Sequence, residues 1–174
     1  NACGFEEIDI KLSVLSKIDH KIVEIVLRRE NSVEILKYAR SKYKDFIIGA
    51  GTVYDVKTLD IVVETGVNFI MTPGFSESLI DYALKNNIRN FIPGAATPSE
   101  IIKIIEYGYK LIKIFPVSYL GGIKYIKTLD SVFAKSKVKF IPSGGVNASN
   151  VKEYLKLENV AACSSSSFID KFIH

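Results

Sequence analysis

The chain predicts an α/β fold built around one parallel sheet, and three observations carry that expectation. Short apolar runs alternate with stretches of helical periodicity at a period of roughly 20–26 residues, the mark of a repeated βα unit. The runs are apolar on both parities, as strands covered by helices on both faces are. The unusual residues Thr52, Thr72, Pro93, Phe115, Ser143 and Ser165 all fall where successive strands end. A closed barrel gathers every such end on one face, whereas an open sheet draws its site from the few loops near a switch point. The expected architecture is therefore a TIM (β/α)8 barrel, in one domain over 1–174.

In chain order, residues 10–18 have apolar positions at helical spacing behind Asp9, a candidate N-cap. Strand 22–28 follows, with Glu24, Val26 and Arg28 on one face and Val23, Ile25 and Leu27 on the other. Asn31 and Ser32 open a helix to around residue 43. Strand 46–52 ends in Gly49-Ala50-Gly51-Thr52, and the helix over 55–64 stops at Gly66. Strand 67–71 ends in Thr72-Pro73-Gly74, and Ser76 opens a helix to residue 85. Strand 90–92 ends in Pro93-Gly94-Ala95. Thr97-Pro98-Ser99-Glu100 is a capping box with proline at the first helical position, and Gly108 ends that helix. After a strand over 111–115 come a helix over 123–135 and a strand over 138–141 that ends in Pro142-Ser143-Gly144-Gly145. A helix over 149–157 leads to a last strand from 160, which runs into Ser164-Ser165-Ser166-Ser167. That makes seven strands. Residues 4–8 are a poor candidate for an eighth, and 168–174 leave little for a final helix, so the first strand and last helix are expected to be degenerate or missing.

Composition narrows the function. At 174 residues, 48% hydrophobic and 24% charged, the chain reads as an ordinary soluble globular domain. Its net charge of +4 is spread over helices rather than gathered in a stripe, which argues against a nucleic-acid partner and leaves a bias suited to an anionic substrate. Cys3 and Cys163 form no disulfide framework, the chain has only two histidines, and no spacing suggests a metal site. No segment has the form of a signal peptide, and no apolar run approaches the ~20 residues of a membrane span. A cytoplasmic protein with no membrane partner is expected.

The chemistry centres on Leu111-Ile112-Lys113-Ile114-Phe115. Lys110 can reach water at the strand entrance, but Lys113 sits in mid-run on the face of Leu111 and Phe115. Desolvating an ammonium is costly, so apolar surroundings bias a lysine toward the neutral amine that forms Schiff bases. The alternative is a lysine that snorkels, or pairs with a carboxylate and does no chemistry. Glu24 is a carboxylate on a strand face and needs a partner or a task. Arg28, nearer the rim, suits bidentate capture of a substrate carboxylate, though the two could simply pair. Ser143-Gly144-Gly145 offers a hydroxyl and bare N–H groups fit for an anion such as phosphate, or a tight turn. Thr52 and the serine run read as substrate or anion contacts, or as small residues at crowded strand ends.

Glu24-Ile25-Val26-Leu27-Arg28, Gly49-Ala50-Gly51-Thr52-Val53, Thr72-Pro73-Gly74, Ile92-Pro93-Gly94, Lys113-Ile114-Phe115-Pro116 and Pro142-Ser143-Gly144-Gly145 occur in a fixed order. The ordered set resembles the 2-keto-3-deoxy-6-phosphogluconate (KDPG)/4-hydroxy-2-oxoglutarate (KHG) aldolases over residues 22–168. The resemblance implies a homotrimeric TIM barrel that cleaves a 2-keto acid to pyruvate and an aldehyde through a lysine Schiff base, with no metal or other cofactor. Lys113 then matches the Schiff-base lysine and Glu24 the general acid/base. Arg28, Thr52, Pro93, Phe115 and Ser143 match substrate positions, and Gly144, Gly145, Ser165, Ser166 and Ser167 match phosphate positions. The family usually carries Gly-Gly-Ser at the last strand end, where this chain has Ser165-Ser166-Ser167. The added side chains crowd a place where backbone must approach phosphate. The alternative is a non-catalytic metabolite-binding barrel of the same descent.

Overall fold

The computed structural model describes residues 4–169 of the chain. Parallel strands alternate with helices: β1 (Ile22–Val26), β2 (Ile47–Gly51), β3 (Phe69–Met71), β4 (Phe91–Ile92), β5 (Gly94–Ala95), β6 (Leu111–Ile114) and β7 (Lys139–Pro142). Helices α1 (Phe5–Lys17), α2 (Ser32–Lys42), α3 (Val56–Glu64), α4 (Glu77–Lys85), α5 (Pro98–Glu106), α6 (Ile123–Phe133) and α7 (Val151–Leu155) lie between and around them. Strands pair in sequence order, β1-β2-β3-β4 and then β5-β6-β7. Single bridges, Phe140 to Val160 and Ser143 to Ser164, set the 160–164 segment beside β7. This is the TIM-barrel-like α/β fold expected. Among the described residues, β1 pairs only with β2, and no strand precedes α1. Residues 168–174, where the last helix is expected to be degenerate or missing, fall mostly outside the described residues.

Register divides the strand residues into two sets. Glu24 lies beside Gly49, Gly49 beside Phe69, Gly94 beside Lys113, and Lys113 beside Ile141, so these share the inner face. On the opposite parity, Ile48, Ala50, Ile70, Ile112, Ile114 and Phe140 are fully buried. Against it pack helix residues such as Leu12, Leu36, Leu59, Ile101 and Ile126. Each such side chain contributes roughly 1.5–3 kcal/mol on burial, so the stability of the fold resides between barrel and helices. The inner face carries Glu24, Lys113 and the glycines Gly49 and Gly94 among the apolar Phe69 and Ile141.

Three of the expected caps form, while Asn31, expected to cap α2, makes no side-chain bond to the helix N–H groups. Asp55 and Ser76 accept from backbone N–H groups of α3 and α4, and Thr97 and Glu100 form the full capping box of α5. The start of α1 departs from expectation. It begins at Phe5, with Glu6 and Glu7 in the first turn, where carboxylates complement the helix dipole. Ile8, Leu12 and Leu15 make its buried stripe. Asp9 is not a cap: its carboxylate accepts from Tyr38, Lys42 and Tyr43 of the neighbouring helix region.

Proline 93 divides the sheet. The strand expected to stop there resumes as β5, with β4 bonded to β3 and β5 to β6. Proline has no N–H for the ladder, so the chain changes partners at that residue. Its carbonyl still accepts from the Lys113 N–H at 3.0 Å.

Candidate active site

Lys113 is held on β6 between β5 and β7, and only 5% of its surface is exposed. Its Nζ donates to Glu24 Oε1 at 2.9 Å across the barrel. The sequence left two readings of this lysine, an amine in apolar surroundings or one paired with a carboxylate. The structure pairs it, and with the residue expected to act as acid/base. Withdrawing both charges from water costs several kcal/mol per ion, which only good geometry offsets. That geometry is supplied locally. A Cβ at Gly51 would lie 1.8 Å from Glu24 Oε1, so only glycine leaves room for the carboxylate against β2. Glu24 Oε2 accepts from Ser164 Oγ at 2.8 Å, which satisfies the second oxygen.

Around the pair, the Phe115 ring centroid lies 5.8 Å from Lys113 Nζ. A Cβ on Gly144 would come within 2.9 Å of that ring, and its φ of 84° is one that glycine takes without strain. Pro93 and Ser143 are buried beside β6, with the Ser143 N–H on the Ile114 carbonyl. Thr52 follows Gly51 at a left-handed φ of 63°, a costly conformation for a β-branched residue. Together with Leu27, Arg28, Arg29 and Tyr54, it lines an open pocket of about 410 Å³ at the mouth of β1 and β2.

Two expected placements change. Arg28 is not on the strand face with Glu24, because β1 ends at Val26 and Arg28 is exposed in the loop beyond it. It still meets Thr52, across the pocket. Ser165 does not present a free hydroxyl, since its Oγ donates to the Val146 carbonyl at 2.7 Å. Ser166 and Ser167 are exposed. The site also contains Arg29 and Tyr54, which sequence reasoning did not single out, and it sets Ser164 and Gly51, read in sequence only as parts of a serine run and a strand end, against the Glu24 carboxylate. Cys163, next to Ser164, offers no rival nucleophile, because burial pushes its thiol up to about 11. No group of three or more His, Cys, Asp or Glu side chains able to hold a metal occurs among the described residues.

A parallel barrel with a buried lysine–carboxylate pair inside its strand ends defines a class: α/β barrels whose inner face carries an amine beside a base. A family model described as KDPG and KHG aldolase matches residues 6–174. The chain belongs to that family. It is 36% identical to a 2-dehydro-3-deoxy-phosphogluconate aldolase of Pseudoalteromonas atlantica, over 84% of this chain and 66% of that protein. It is 34% identical to the KHG/KDPG aldolase of Escherichia coli K12, over 84% of this chain and 67% of that protein. The chain thus spans about two thirds of the length of these curated relatives. Among solved structures, the KDPG aldolase of Legionella pneumophila superposes with a TM-score of 0.86 at 34% identity, covering 92% of this chain and 76% of that one. In that crystal, pyruvate was captured at low pH as a covalent carbinolamine.

Proposed function

We propose that this protein is a class I aldolase that cleaves a 2-keto-3-deoxy-6-phospho sugar acid or 4-hydroxy-2-oxoglutarate to pyruvate and an aldehyde. The observation that carries the reading is the 2.9 Å contact between Lys113 Nζ and Glu24 Oε1 inside the barrel. Glu24 takes a proton from Lys113, and the free amine attacks the C2 carbonyl of the keto acid. The carbinolamine loses water to give a protonated imine. Glu24, directly or through a water, then removes the C4 hydroxyl proton. The C3–C4 bond breaks, its electron pair flows to the imine nitrogen, and the aldehyde leaves. The resulting enamine is protonated at C3, and hydrolysis of the imine frees pyruvate and Lys113.

Arg28 and Thr52 hold the substrate carboxylate in this reading, while Pro93, Phe115 and Ser143 shape the wall around the imine. Gly144, Gly145, Ser165, Ser166 and Ser167 surround the distal end. With Ser165 committed to a backbone carbonyl, that end has fewer donors for a phosphate than a glycine-lined turn offers. The covalent lysine supplies the electron sink, so the chemistry calls on no metal. The reading also carries the family expectation of a cytoplasmic homotrimer. Borohydride reduction with pyruvate, followed by peptide mass mapping, tests it. A reduced adduct is expected on Lys113 and absent from Lys113→Ala; folded wild-type protein with no adduct from pH 6 to 9 would sink the reading.

A further inference from the structure

We propose that Ser164 is a positioning residue that holds the Glu24 carboxylate in place while Lys113 is covalently occupied, an inference that rests on the aldolase reading above. Glu24 has two side-chain donors, Lys113 Nζ on Oε1 and Ser164 Oγ on Oε2. The first is altered by the reaction. When Nζ bonds to C2 and water leaves, an ammonium with three donors becomes an iminium with one N–H fixed in the plane of the imine. The second partner is untouched by any step.

Ser164 is also anchored to the same frame as the lysine. Its N–H donates to the Pro142 carbonyl at 3.0 Å, and it bridges to Ser143 beside β7. Strand β7 pairs with β6, with Ile141 beside Lys113. Glu24, by contrast, rides on β1, which among the described residues has no ladder to the 160–164 segment. The backbone at Gly51 blocks the carboxylate on one side. Ser164 closes the other, and without its hydroxyl Glu24 is free to turn away once Lys113 has reacted. The serine is brought there by an extra residue. From Phe140 to Ser143 is three steps, and from Val160 to Ser164 is four, between the same two bridges. The added residue shifts the parity of the segment and presents the Ser164 hydroxyl to the barrel interior.

The test compares wild type, Ser164→Ala and Ser164→Thr as full chains, in two measurements. One is the yield of the borohydride-trapped pyruvate adduct on Lys113. The other is exchange of pyruvate C3 protons in D₂O followed by NMR, which requires a base beside the imine. Ser164→Ala is expected to trap pyruvate within about two-fold of wild type with a KM for exchange that moves as little, while kcat for exchange falls roughly 10- to 100-fold, the worth of a charge-assisted hydrogen bond. Ser164→Thr restores exchange, since it returns a hydroxyl to the same place. Unchanged exchange in Ser164→Ala overturns the inference. So does a parallel fall of trapping and exchange, which marks a structural role only. Absence of an adduct in wild type removes the aldolase reading and this inference together, whereas the first two outcomes leave that reading standing.

Discussion

Among the lysine–carboxylate pairs of the described residues, two of nearly the same length sit in opposite surroundings. Lys42 and Asp9 meet at 2.8 Å with side chains 46% and 31% exposed, while Lys113 and Glu24 meet at 2.9 Å with 6% and 11% exposed. The outer pair ties α1 to the end of α2. Asp9 accepts from Tyr38 and Tyr43 as well as Lys42, and Lys42 lies over both tyrosine rings. Lys42's hydrogen bond, then Tyr43's, holds the Asp9 carboxyl down at about 2. Water shares that pair, so its contribution is modest and screened by salt. The inner pair is costly to bury and stands in a stretch of barrel wall where a hydrocarbon would serve packing as well. A fold does not need Lys113–Glu24 for stability; the proposed reaction does.

The sharpest way to break the comparison is Glu24→Gln, which keeps shape and an acceptor for Lys113 but removes the base. Aldol cleavage is expected to fall roughly 10²- to 10⁴-fold, the usual worth of general acid–base catalysis, with little change in melting temperature. A loss smaller than about ten-fold would assign the proton transfers elsewhere. Next in size is the joint replacement Lys113→Met with Glu24→Leu. Removing both charges is expected to leave stability unchanged or to raise it by about 1–4 kcal/mol, while Schiff-base formation vanishes. Urea unfolding decides the matter; a clear net loss from the double variant would make the pair structural after all.

The smallest effect belongs to the outer pair and to acid pH. Asp9's folded value lies below its ordinary 3.8, so the contribution of the cluster is complete above about pH 4 and is lost as pH falls through about 2. Thermal melts of Asp9→Asn and wild type are expected to differ at neutral pH and to converge across that window. Trapping at Lys113 is expected to be the same in both. Convergence at higher pH, or none at all, would show that Asp9 is not the group that carries the link.

Much of this was legible in the sequence because the signals are local. The capping box at Thr97, the stops at Gly66 and Gly108, and the parity that put Lys113 on an inner face depend on residues within a few positions of each other. Other features depend on distant partners. Asp9 has the composition of an N-cap, yet Phe5, Ile8 and the carboxylates of the first turn extend α1 past it, and three donors from α2 and its end claim its side chain. Arg28 follows the alternation of β1 on paper, but the strand stops two residues earlier and its parity has no meaning in a loop. Ser164 was hidden for a related reason. Strict alternation from Val160 misassigns it, and the one residue that resets the register is visible only in the spacing of the bridges to β7. Gly51 reads in sequence as part of a glycine-rich strand end; that it vacates the volume of the Glu24 carboxylate is a fact of cross-strand packing.

Pro93 has a mechanical consequence. It parts the strands into two panels, β1 to β4 and β5 to β7, so Glu24 is mounted on one panel and Lys113 on the other. The distance from Lys113 Nζ to Glu24 Oε1 therefore works as a caliper across the joint. A slip of one panel against the other by about an ångström would open that gap beyond hydrogen-bond reach, and misplacement of this size costs on the order of 100-fold in rate. The joint is placed where it does least harm: the carbonyl of the proline that parts the panels also takes the backbone N–H of Lys113, so the lysine is indexed to the fulcrum itself.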